Sequence, residues 1–129
     1  MPVGNEIGSF EAKFTSVRTV EINGAEVITE GSYMGKVSGQ LGGTVTGTAT
    51  FTGTTGASAR GTMTALSVGY LDSGDVLPGK GQGVYWSDGS GKWQTRAAFM
   101  LPDAMLVGEG QIALADGEFT WSAKLFELT

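Results

Sequence analysis

The chain has 129 residues, room for one domain with a core of its own, and a formal net charge of −5. Its 8 basic residues are scattered singly, which argues against nucleic acid as a partner, because that binding rests on clustered Lys and Arg that release counterions. Having no cysteine and no histidine, it lacks disulfide staples, thiolate chemistry, the usual general base and the commonest metal ligand.

No stretch approaches the roughly 18 consecutive apolar residues of a membrane helix, and the opening "MPVGNEIGSF" lacks the basic and apolar regions of a signal peptide. The expectation is a cytoplasmic protein with no membrane partner. Glycine numbers 22 and proline only 3. The glycines have no fixed period and lie within stretches dense in Thr, Val, Phe and Tyr, which excludes collagen and argues against a linker. Apolar residues alternate with polar ones from end to end, and no helical periodicity competes.

Strands are expected at residues 9–22 and 25–38, joined by Asn23-Gly24, a dipeptide suited to a two-residue hairpin turn. In that register Ile22 faces Ala25, Val20 faces Val27, Phe14 faces Tyr33, Ala12 faces Gly35 and Phe10 faces Val37. Glu11 then falls opposite Lys36 on the reverse face, as suits a solvent side. Arg18 falls opposite Thr29 on the apolar face, with four residues between it and the turn pair. An inward guanidinium needs water, an acid or a ligand oxygen to offset its desolvation. Arg18 is therefore a candidate anchor for a ligand carboxylate or carbonyl, with a water-filled mouth or a hydrogen bond to backbone carbonyls as the structural alternatives.

A third strand, 43–53, carries "GTVTGTATFTGT", with Thr44 to Thr52 on one face and Val45, Gly47, Ala49, Phe51 and Gly53 on the other. The threonine face is expected outside. Strand four, 58–71, places Ala59, Gly61, Met63 and Ala65 inward. "DSGDVLPGK" follows as the one connection long enough to cross an end of the molecule or to act as a lid. Strands at 80–86 and 92–100 flank "SDGSG", where a two-residue loop sets Trp93 beside Val84 and a three-residue loop, which is preferred, sets it beside Tyr85. Strands 106–115 and 118–128 meet at Asp116-Gly117, which pairs Leu114 with Phe119, Ile112 with Trp121, Gly110 with Ala123 and Gly108 with Leu125. Glu109 lies opposite Lys124 outside.

Eight strands joined hairpin to hairpin, with inward glycines that permit strong coiling, describe a single-domain, all-β, antiparallel up-and-down β-barrel over residues 1–129. A two-sheet β-sandwich is the alternative. Outer-membrane barrels carry an apolar outward band, whereas this outward face carries Thr, Glu, Lys and Ser.

The glycine-rich strands, the segment "GKGQGVYW" followed by a short turn and "KWQTRAAF", and the closing "EFTWSAKLFEL" resemble the small bacterial calycin-like barrels of unknown function. In architecture those are similar to the allene oxide cyclase barrels and the barrel-shaped cyclases of natural-product pathways. The resemblance implies the fold and an interior pocket. It does not lend an activity, but cyclase or isomerase chemistry stays open to a chain without His and Cys, because holding a flexible apolar substrate in a reactive shape needs little acid or base. No catalytic motif aligns, so no catalytic residue is named.

The interior of such a barrel is either filled by side chains or just wide enough for one small ligand. Phe10, Ala12, Phe14, Tyr33 and Val37 read as a plug at the end away from Asn23-Gly24. Candidate lumen residues for a small apolar or amphipathic ligand are Arg18, Tyr33, Met63, Tyr85, Trp93, Phe99 and Trp121. Glu21, Glu26, Glu30 and Glu109 read as solvated, Asp72, Asp75 and Asp103 as turn formers, and "GKGQG" as a strand bend. Neither metal nor cofactor is expected. A solid barrel serving as a structural or interaction domain is the competing reading, and a homodimer is compatible with either.

Overall fold

The structure, a computed structural model, describes residues 4–128. Its strands are β1 (Glu6–Asn23), β2 (Glu26–Gly39), β3 (Gly43–Thr54), β4 (Arg60–Leu71), β5 (Val76–Ser87), β6 (Lys92–Met100), β7 (Met105–Ala115) and β8 (Glu118–Glu127). Each pairs antiparallel with its sequence neighbours, and β8 returns to pair with β1, so the sheet closes into an up-and-down barrel and not a sandwich. The backbone of Gly4 donates to Glu127 and that of Glu127 to Asn5, which seals the first and last strands side by side.

Period-two alternation sets the two faces. In β3, Ala49 is fully buried while the threonines face outward between β2 and β4. Asp116 and Gly117 both have positive φ, at 53° and 77°, as a type I′ turn requires. The β7–β8 register is the expected one, with Leu114 on Phe119, Ile112 on Trp121 and Gly108 on Leu125. Glu109 does lie across from Lys124, but its ion pair is with Arg96 of β6, at 3.4 Å.

The first hairpin differs from expectation near its turn. Phe10–Val37, Glu11–Lys36, Ala12–Gly35 and Phe14–Tyr33 pair as expected, but register shifts occur after Phe14 and after Thr19. The first takes Thr15 out of the ladder and the second takes out Val20, so Ile22 pairs with Val27 rather than Ala25, and Val20 does not face Val27. The turn moves by one residue, to Gly24-Ala25, where Gly24 holds φ at 61°, as the first central residue of a type II′ turn does. Each bulge inserts one residue and reverses the facing of the residues beyond it. That reversal turns Val17 inward and Arg18 outward, sparing the apolar lumen an unpaired guanidinium.

Two connections also depart from the sequence reading. β5 begins at Val76, so "DSGDVLPGK" supplies a tight turn and the start of a strand rather than a lid. The amide of Leu71 donates to Asp75 O at 2.9 Å across that turn. Pro78 is tolerated there because β6 joins β5 only from Lys80 onward, leaving one side of the strand without a ladder to interrupt. Between β5 and β6, Ser87 pairs with Trp93, so the loop is longer than either expected version. Asp88 organises it by accepting from the Ser90 amide and from Gln94 Nε2. Trp93 keeps the inner face that the three-residue version gave it.

The interior is filled at its waist. Trp121 stacks against Phe14 at 6.2 Å between ring centroids and meets Phe10 and Tyr33 edge-on, each at 5.3 Å. Met63 is buried beside them at 2 % exposure. The two polar tips find partners, Trp121 Nε1 donating to Thr95 Oγ1 at 3.2 Å and the Tyr33 hydroxyl pairing with that of Ser67. The plug expected at one end is therefore a central partition, with space on both sides.

A candidate ligand-binding cup

The β1–β2, β3–β4, β5–β6 and β7–β8 turns gather at one end of the barrel, and beneath them lies a cavity of ≈ 290 Å³. Phe14 and Phe51, 6.2 Å apart, form its floor against the partition. One wall is Trp93 beside Phe119, 6.1 Å apart, and Val17 and Val27 face it from the first hairpin. Thr54 at the end of β3 and Thr55, Gly56 and Ala59 of the β3–β4 connection line the cup as well. Thr55 Oγ1 donates to Ala25 O at 3.1 Å, tying that connection to the first turn.

Tyr85 gives the cup its distinctive polar feature. Along one inner row, Val27 of β2 pairs with Gly53, Gly53 with Gly61, and Gly61 with Tyr85. Two adjacent positions without side chains leave a slot in which the Tyr85 ring reclines, and a Cβ on Gly53 would collide with its hydroxyl. Phe51 holds the ring edge-on at 5.5 Å. Burial, and then the negative charge of Glu26, push the Tyr85 pKa above the ordinary tyrosine value, so the group is a neutral phenol at physiological pH.

At the other end a smaller cavity of ≈ 100 Å³ lies between the partition and a ring of leucines that includes Leu41, Leu71, Leu77, Leu101 and Leu106. The expected lumen residues divide between these spaces. Tyr85 and Trp93 line the cup, Tyr33, Phe99 and Trp121 line the smaller cavity, and Met63 packs in the partition without lining either. Arg18 belongs to neither. It stands on the outer wall opposite Glu30 rather than Thr29, 69 % exposed, with Nε 3.2 Å from Glu30 Oε1, which removes its role as a ligand anchor.

Phe14, Phe51 and Phe119 belong to the cup and were legible as inward positions of their strands. Val17 was not, because the bulge at Thr15 sets its direction. Among the described residues, no three His, Cys, Asp or Glu side chains are grouped so as to hold a metal ion.

No family model matches the chain, and no curated protein matches it. Among solved structures, it is similar to a conserved protein of unknown function, RPA1785 from Rhodopseudomonas palustris, over 100 % of both chains, with a TM-score of 0.66 at 13 % identity. At that identity the likeness is one of fold: the closed eight-stranded barrel is shared by a protein whose own function is not known.

Proposed function

We propose that the protein binds one small, mainly apolar molecule in the cup at the turn end of the barrel. The observation that carries this reading is the ≈ 290 Å³ cavity walled by Phe14, Phe51, Trp93 and Phe119, close to the lower end of the volumes typical of ligand pockets. A cyclase or isomerase would use the same cup. Tyr85 is the one titratable side chain among its lining residues, so such a reaction would rest on the shape imposed on the substrate. Titration with naphthalene tests the binding reading. Emission from Trp93 should change saturably with about one molecule per chain, and Trp93→Phe should remove most of the change. Unmoved emission and melting temperature across a panel of one- and two-ring hydrocarbons would sink it.

A second reading, association between copies, is favoured by the outer wall. Met34, Leu66, Tyr70, Val76 and Met100 are each at least half exposed there on β2, β4, β5 and β6, and Tyr70 pairs directly with Val76, an exposed apolar couple that a second copy could cover. Sedimentation velocity from micromolar to millimolar protein tests it, with a single monomeric species throughout counting against association.

A further inference from the structure

The barrel contains two reclining tyrosines, and they differ at the hydroxyl. Tyr33 leans from β2 across Gly47 of β3, and its hydroxyl reaches Ser67 of β4, the residue paired with Gly47. Tyr85 leans the other way, from β5 across Gly61 to Gly53. Its hydroxyl ends over a glycine, and among the described residues no side chain receives it. The first tyrosine completes the partition; the second brings a hydroxyl without a side-chain partner to the wall of the cup.

From this asymmetry we infer that the cup selects an uncharged apolar molecule bearing a hydrogen-bond acceptor, such as a ketone or ether oxygen, which the Tyr85 hydroxyl engages. The inference rests on the cup being a binding site. Three further observations support it. Among the described residues no Lys or Arg lines the cup, so a carboxylate would enter without a counter-charge and bear a heavy desolvation cost. The Glu26 charge raises the Tyr85 pKa, and a negative charge felt at that hydroxyl opposes an anion more than a neutral acceptor. The hydroxyls of Thr54 and Thr55 donate to backbone carbonyls of Arg60 and Ala25, leaving Thr29 as the other hydroxyl to compare.

Naphthalene, methyl naphthyl ketone and naphthoate share a two-ring body and differ in the feature at issue. Each is titrated at neutral pH into the parent protein and into Tyr85→Phe and Thr29→Val variants that retain the parent circular dichroism. Loss of one neutral hydrogen bond should weaken the ketone in Tyr85→Phe by roughly 3- to 10-fold and leave naphthalene within about twofold. Naphthoate should bind the parent at least roughly tenfold more weakly than the ketone. Equal effects of Tyr85→Phe on ketone and hydrocarbon would overturn the inference while leaving the cup as a binding site. So would naphthoate binding as tightly as the ketone, or ketone loss confined to Thr29→Val. If none of the three compounds binds, the binding reading falls and the inference falls with it.

Discussion

Replacing Met63 by alanine tests the claim that the barrel is closed off at its waist. Met63 is 2 % exposed, pairs with Phe51 on one side and Gly83 on the other, and has Ala65 as its next inward neighbour on β4. The glycine and the alanine have no side-chain atoms to swing into the vacancy, and Phe51 is held by Phe14 and Tyr85. Collapse is therefore restricted, and the cost should fall in the middle of the range for buried large-to-alanine changes, about 3 kcal/mol. For a domain of this size that is a large share of the roughly 5–15 kcal/mol of total stability, equivalent to a fall in melting temperature of about 10 °C. Urea unfolding followed by tryptophan emission measures it through the midpoint at constant slope. Met63→Leu, which nearly conserves volume, should cost less than about 1.5 kcal/mol. A loss below about 1 kcal/mol for Met63→Ala would mean that the side chain is not close-packed, and the interior would then be one continuous lumen rather than two chambers.

Gly24→Val should destabilise by about 1 kcal/mol or more, since a β-branched residue is strained at a φ of 61°; equal urea midpoints would place the turn elsewhere. Arg18→Met should change stability by no more than about 0.5 kcal/mol, because its partner Glu30 is met on an exposed surface, and should leave naphthalene affinity unaltered. On alkaline titration followed by tyrosinate absorbance, Tyr33 and Tyr85 should ionise later than a free tyrosine, each raised chiefly by burial. Because their folded pKa values lie above the unfolded one, their contribution is whole below about pH 10 and is lost as pH rises through the folded values. In the opposite sense, hydrogen bonds from Ser90 hold the Asp88 carboxyl below its ordinary pKa, so an NMR titration should find it still ionised where free aspartate is half protonated.

The two hairpins show what can be read from a sequence and what cannot. At Asp116-Gly117 both turn residues adopt positive φ and no bulge interrupts the ladder, so the pairing runs unbroken from Ala115–Glu118 to Leu106–Glu127. At the first hairpin Phe10, Ala12 and Phe14 pair as alternation and the turn dipeptide require, while the ribbon beyond Phe14 departs from that pattern. Thr15 and Val20 are residues that any strand accommodates, and nothing in their chemistry marks them as the extra ones. Two single-residue insertions restore the original facing of β1 but leave it two residues out of register, and they invert the segment between them, in which Arg18 lies. Val76 to Gly79 misled for a different reason: proline and glycine signal a loop when a strand is ladder-bonded on both sides, but β5 starts with β4 alone. The inward aromatics were legible from alternation. Their division into partition and cup was not, because it depends on the direction in which each ring leans and on which glycine lies beneath it.

The backbone hydrogen bonds joining Gly4 and Asn5 to Glu127 put the two ends of the described chain next to each other, at the end of the barrel opposite the cup. Adjacent ends of this kind are what rearranged chain order requires. A short glycine-serine bridge between them, with new ends opened in the exposed β5–β6 loop at Gly89, would preserve every strand pair of the barrel. The same adjacency makes either end a suitable point for surface attachment, since a molecule tethered there presents its cup to the solution.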